Sequence, residues 1–140
     1  MITIQKVLML RRVDLFADMT TRQLGHVASV THELMKPAGS MIFAEGDAGD
    51  ALFVIVSGEV EVLRGGKRLK LLRDADYFGE LAVLTGETRN ASVRALTDCL
   101  LLRLERSDFH QVLAGSFEAV LAVIRIICRR LQRTPGDGGS

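Results

Sequence analysis

Apolar positions change their spacing twice along this chain, and each change marks a boundary. From Ile2 to Arg12, apolar Ile4, Val7, Leu8 and Leu10 lie among basic and polar neighbours at helical spacing. That pattern predicts a short amphipathic helix in need of a partner surface. Asp14, Leu15 and Phe16 break the period. Thr20-Thr21-Arg22-Gln23 then reads as a capping box, in which a threonine hydroxyl accepts from the amide three residues on and a glutamine reaches back. It opens a second helix through Leu24, Val27, Ala28 and Val30, and Pro37-Ala38-Gly39-Ser40 is a turn.

From Ser40 the apolar runs shorten to strand length: Met41 to Ala44, Leu52 to Val56, Val60 to Leu63, Leu69 to Leu72, Val93 to Leu96 and Leu100 to Leu104. Gly46-Asp47-Ala48-Gly49-Asp50, Ser57-Gly58 and Gly65-Gly66 punctuate them. Short strands at such close spacing predict a sandwich or barrel-like roll. Val54, Val56, Val60 and Val62 alternate with smaller or polar positions only in part, so both faces of these strands are expected to be partly covered. After Glu105 the helical period returns. Ser107-Asp108-Phe109 reads as a cap before Val112 and Leu113, with Gly115 as the stop. Ser116 caps a longer final helix whose apolar positions Phe117, Val120, Leu121, Ile124, Ile127, Cys128 and Leu131 follow three-four spacing. Arg125, Arg129, Arg130 and Arg133 suit the negative end of its dipole. Thr134 to Ser140 cannot continue the helix and is expected to be a disordered tail.

Composition narrows the function classes. At 140 residues, 48% hydrophobic and 25% charged, the chain fits one globular domain. Its net charge is +1, from 18 basic and 17 acidic residues, without the cationic excess that a duplex-DNA footprint or a membrane-surface helix requires. The longest apolar region, Ala119 to Cys128, is interrupted by Arg125 and too short to span a bilayer, so direct membrane insertion is not expected. Cys99 and Cys128 stand alone in apolar surroundings, and the N-terminus lacks a secretory design. Both features point to a cytoplasmic protein. His26 and His32 precede the roll and His110 follows it, none at metal-ligand spacing. Ser92 has no base beside it, and Glu80 has no second carboxylate at a persuasive position. No catalytic residue, metal or cofactor, and hence no enzymatic activity, is expected.

The remaining chemistry concentrates between Phe78 and Val93. Gly79 permits an unusual backbone turn, and Glu80-Leu81-Ala82-Val83-Leu84 favours a helical turn after a strand ending at Phe78. A helix start presents unpaired amide donors to an anion, and Arg89 adds a fork that suits a phosphate. Glu80, acceptor-only when ionised, calls instead for a hydroxyl. A group that offers both within a few ångströms is a sugar phosphate.

At these residues the chain resembles the cyclic nucleotide-binding domain family, found in protein kinase A regulatory subunits, catabolite activator proteins and cyclic-nucleotide-gated channels. The family's phosphate-binding cassette is filled here by Phe78, Gly79, Glu80, Leu81, Ala82, Arg89, Asn90, Ala91, Ser92 and Val93. The resemblance implies that Glu80 accepts from the ribose 2′-hydroxyl, that Arg89 grips the exocyclic phosphate oxygens, and that backbone amides complete the shell. It extends roughly from Leu15 to Arg133. Gly46, Asp47, Gly49, Asp50, Phe53, Val54, Gly58 and Val60 match the first half of the family's roll, with a scaffold role. The implied fold is α+β: an antiparallel, jelly-roll-like β-roll with N-terminal helices and a C-terminal lid helix. One domain over 1–133 is expected, with helices about 2–31, the roll about 33–105, helices about 107–133, and the tail at 134–140. Asn90 occupies the position where a hydroxyl residue goes with cGMP and alanine with cAMP, and its departure from both leaves a weak lean to cAMP. Arg125, Ile126 and Arg129 are the lid candidates against the base. The implied function is a regulatory module for cAMP or cGMP that moves its flanking helices, its effector domain or partner protein being unspecified and homodimerisation left open. No nucleic acid is expected to bind, because only the short tail follows Arg133. A roll that binds no nucleotide and serves protein association is the alternative.

Overall fold

In the computed structural model, which describes residues 1–132 without the side chains of Arg130 and Leu131, eight antiparallel strands form two four-stranded sheets flanked by helices. Arg133 and the tail expected over 134–140 lie outside the described residues. Helices α1 (Thr3–Arg11) and α2 (Thr21–Val30) lead in. One sheet has the order β1 (Thr31–Lys36), β8 (Cys99–Glu105), β3 (Ala51–Ser57), β6 (Tyr77–Phe78). The other has the order β2 (Met41–Phe43), β7 (Ser92–Ala95), β4 (Val60–Arg64), β5 (Lys67–Leu72). A short helix, α3 (Glu80–Thr85), sits between β6 and β7, and α4 (Arg106–Ala114) and α5 (Phe117–Leu131) follow β8. This is the expected α+β roll.

Two cores explain the incomplete alternation of the strands. Phe53 and Ile55 on β3 point into the space between the sheets, with Phe43, Val60, Val62, Phe78, Val93 and Leu101. Leu52 and Val54 on the same strand face the helices, with Leu10, Phe16, Leu24, Leu102, Leu104 and Phe109. A strand covered on both faces loses its polar positions, and β3 is buried from Ala51 to Ile55. On β4, Glu61 is the polar exception. At 2% exposure it accepts from Arg68 Nε of β5 at 2.9 Å and from Arg94 of β7. Those two bonds tie three strands together and meet the need of a buried carboxylate for charged partners.

Local chemistry sets several boundaries as expected. Thr20 caps α2: its hydroxyl accepts from Gln23 N at 3.2 Å, and Gln23 Oε1 accepts from Thr20 N at 2.8 Å. Ser116 caps α5 by accepting from Ala119 N at 3.1 Å. Others differ. The roll begins at Thr31 rather than near 33, because polar β1 gains its strand partner from β8, with Thr31 opposite Leu104 and Leu34 opposite Leu101. The cap of α4 is Glu105 in an extended conformation with no side-chain cap bond, which leaves Ser107 and Asp108 inside the first turn.

The outer helices depart from the expected faces, α1 in part and α5 more fully. On α1 the core takes Val7, Met9 and Leu10, while Ile4 and Leu8 are exposed. On α5 it takes Ala119, Ala122, Val123 and Ile126, while Phe117, Ile124, Ile127 and Cys128 face outward. Both stripes of α5 keep three-four spacing, and small Ala119 and Ala122 allow the closer approach to the helical core.

Candidate functional site

The cassette begins where β6 ends. Phe78 is fully buried and stacks on Phe53, with centroids 5.2 Å apart. Gly79 follows at φ +85°, in the left-handed region, and serves as the N-cap of α3. A side chain there would collide with the site itself, since a Cβ on Gly79 would lie 2.8 Å from Arg89 Nη1 and 3.1 Å from Ala51 O. Glu80 opens α3 at 3% exposure. The loop before β3 closes over this turn. Gly49 approaches so near that its Cβ would lie 2.1 Å from Ala82 Cβ, and Ala48 forms a bridge with Thr88. The same loop grips the backbone of Arg89, whose N–H donates to Asp47 O at 2.8 Å and whose carbonyl accepts from Gly46 N at 2.9 Å.

Arg89 is therefore held before its side chain is considered. That side chain, 5% exposed for the residue as a whole, turns inward. Nη1 donates to Gly79 O at 2.8 Å, Nη2 donates to Ala51 O, and Cζ lies 4.0 Å from the centroid of the Phe43 ring. Nε is buried with no hydrogen-bond partner among the described residues. Burial pulls the proton affinity of the guanidinium down, while the carboxylates of Asp50, Glu80 and Asp47 push it back up. Arginine stays charged under such opposing influences. A fixed buried cation with an unsatisfied donor has the chemistry to take a hydrogen-bond partner of opposite charge.

Two cavities share Phe43 and Arg89 in their walls. One, of about 120 Å³, also takes in Leu81, Ala82, Thr88 and Asn90. The other, of about 500 Å³, extends toward Leu34, Lys36, Asp50 and Arg103. The structure thus brings Leu81, Ala82, Arg89 and Asn90 of the expected ligand set to one cavity, with Phe78, Gly79 and Glu80 forming the turn that seats Arg89. Ala91 is buried beside them, and the Ser92 hydroxyl accepts from Glu45 N at 2.9 Å. Asn90 is exposed, and its carbonyl accepts from Arg64 Nε at 3.0 Å.

The lid candidates stand elsewhere. Ile126 is packed into the helical core, and Arg125 pairs with Asp18 at 3.6 Å. Arg129 lines a third cavity, of about 200 Å³, with Asp14, Asp76 and Tyr77. None of the three lines either cavity that contains Arg89. Three contributors were missed by sequence reasoning: Phe43, and the carboxylates of Asp47 and Asp50 beside Arg89. Phe43 could have been found as the one aromatic in the first apolar run of the roll. Among the described residues no cluster of three or more His, Cys, Asp or Glu side chains is arranged to hold a metal, and no single helix is long and apolar enough to cross a membrane.

Comparison with known proteins bears on this geometry. A family model described as a cyclic nucleotide-binding domain matches residues 34–116. The cAMP-dependent protein kinase regulatory subunit of Aspergillus niger is 37% identical over 114 residues, 80% of this chain and 28% of that protein. A cGMP-dependent protein kinase of Caenorhabditis briggsae is 38% identical over 99 residues, 71% of this chain and 13% of that protein. The chain thus spans between an eighth and a third of the length of these relatives. Among solved structures, the regulatory domain of Toxoplasma gondii protein kinase A in co-crystals with cAMP superposes with a TM-score of 0.73 at 31% identity, over 79% of this chain and 44% of that one.

Proposed function

The chain belongs to the cyclic nucleotide-binding domain family, and from that premise we propose that it binds cAMP, with cGMP within about tenfold, and passes occupancy to its flanking helices. The observation that carries this reading is the buried guanidinium of Arg89, fixed by two carbonyls and left with a donor to offer. In the proposed complex, Arg89 meets the cyclic phosphate together with the first amides of α3. Glu80 accepts from the ribose 2′-hydroxyl. Asn90, at the mouth of the smaller cavity, offers both a donor and an acceptor to the base side and so discriminates little between purines. The module is regulatory rather than catalytic and works in the cytoplasm, where Cys99 and Cys128 stay reduced. Its output passes to an effector domain or partner protein.

The proposed output is a movement of α5. For Arg125, Ile126 or Arg129 to reach the base, the helix must leave its present seat. The Arg125–Asp18 pair is exposed on both sides and costs at most about 1 kcal/mol to break. Withdrawing Ile126 from the core costs about 1.5–3 kcal/mol. The nucleotide must therefore favour the closed arrangement by roughly 2–4 kcal/mol, which is within reach of a single buried phosphate contact.

Melting curves test the binding step. At about 100 times its dissociation constant a ligand stabilises by about 2.7 kcal/mol, a rise of roughly 8–10 °C for a chain of this size. We expect that rise with cAMP and cGMP and none with 5′-AMP. Equal melting temperatures in all three would overturn the reading. Spin labels on β4 and near Arg129 test the movement, since an unchanged distance distribution at saturation would make α5 a fixed wall.

A further inference from the structure

We infer that Phe43 is a positioning residue for Arg89: its ring face, and not merely its bulk, holds the guanidinium plane so that the Nε edge is offered to the phosphate. This rests on the nucleotide reading above and adds to it a residue outside the cassette. Phe43 sits on β2 opposite Val93, where the strand register is irregular, and is 9% exposed. Its own orientation is set by two neighbours, Phe53 at 6.0 Å and Phe78 at 5.8 Å between centroids. The ring is therefore a rigid wall, and Cζ of Arg89 lies 4.0 Å from its centroid.

Such a wall changes what the cation can do. A guanidinium has two faces and three edges. Here Cζ lies 4.0 Å over the centre of the Phe43 ring, and the two Nη groups are anchored to Gly79 O and Ala51 O. The Nε–H has no partner among the described residues. Without the ring, the carbonyls alone would leave the plane free to tip about the line between its anchors. The attraction of a cation for a π face grows when both are shielded from water. Both partners here are nearly buried, so the contact restrains the guanidinium more than it would at a surface.

The test separates face from bulk. Phenylalanine analogues carrying one, two and three ring fluorines, placed at position 43 alone, keep the shape while progressively draining the negative π face. Calorimetric titration of these proteins with cAMP should show affinity falling stepwise, to about tenfold below native at three fluorines. Phe43→Leu should lose at least as much, and Phe43→Tyr should recover most of it. The loss should be the same with 2′-deoxy-cAMP, because the ring acts on the phosphate clamp and not on the sugar. A second readout does not require nucleotide. In nitrogen-labelled protein, the Arg89 guanidinium resonances should show restricted rotation and a ring-current shift that Phe43→Leu abolishes. Unchanged affinity across the fluorine series, or Arg89 resonances indifferent to Phe43→Leu, would overturn the assignment. If the native protein takes up no cyclic nucleotide while the ring-current shift is present, the nucleotide reading fails and the ring-to-guanidinium contact stands alone.

Discussion

Replacing Gly79 by alanine separates a backbone cost from a functional one. Gly79 has φ +85°, and a Cβ there would meet Arg89 Nη1 at 2.8 Å, Ala51 O at 3.1 Å and the Phe43 ring at 3.4 Å. The left-handed backbone alone costs an alanine about 1–2 kcal/mol. The close contact adds a second penalty, because Nη1 must move off the Gly79 carbonyl that seats it. Restoring a hydrogen bond from a charged donor is worth about 1.5–3 kcal/mol, so binding a phosphate should weaken roughly ten- to a hundredfold. Gly39 supplies the control. It has φ +87°, with nothing within 4 Å of its would-be Cβ. Gly39→Ala should lose about the same 1–2 kcal/mol of stability with no change in cAMP affinity. Urea melts without nucleotide and calorimetric titrations of the folded proteins measure the two quantities. Equal stability losses together with native cAMP affinity in Gly79→Ala would show that the Gly79 seat for Arg89 is irrelevant to binding.

Other expectations follow from the same geometry. Arg89→Ala should weaken cAMP by about 2–5 kcal/mol, thirty- to several-thousand-fold, and Arg89→Lys should rescue only part of this, since an ammonium cannot span two carbonyls and a phosphate; titration of both folded variants decides it. A 2′-deoxy nucleotide should bind worse to the native chain, and Glu80→Gln should narrow the gap, so equal losses in both proteins would remove Glu80 from the ribose. Glu61, held below the ordinary carboxylate range by its bonds to Arg68 and then to Arg94, contributes stability that is complete above about pH 5 and lost as pH falls through its depressed folded value. Melts of the native protein and of Glu61→Gln from pH 7 to 3 should show the native advantage shrinking toward the acid end, and an advantage independent of pH would contradict the assignment.

How much of this could be read in the chain depended on the range of the interactions. The cassette was legible because its parts are local: Gly79 must take a left-handed turn, Glu80 must open a helix, and Arg89 follows within one loop. The caps at Thr20 and Ser116 were legible for the same reason. The stripe that α5 buries was not. That helix is apolar most of the way round, so three-four spacing fits Phe117, Leu121, Ile124 and Cys128 as well as Ala119, Ala122, Val123 and Ile126. Only the shape of the core chooses the set with small residues. Strand β1 was hidden because His32, Glu33 and Met35 are exposed on an edge strand, and its pairing comes from β8, far along the chain. Phe43 escaped because a ring that meets a guanidinium 46 positions later leaves no periodic trace, and Asp47 and Asp50 looked like turn residues when they are also the carboxylates beside Arg89.

The most direct measurement is the proton–nitrogen resonance of Arg89 Nε during titration with cAMP. That N–H has no partner among the described residues and, in the proposed complex, gains one when a phosphate oxygen accepts from it. The phosphate clamp predicts a marked downfield move on saturation and a measurable coupling to the ligand phosphorus. Saturable cAMP binding that leaves the Arg89 Nε resonance where it began would contradict the claim that this guanidinium grips the phosphate.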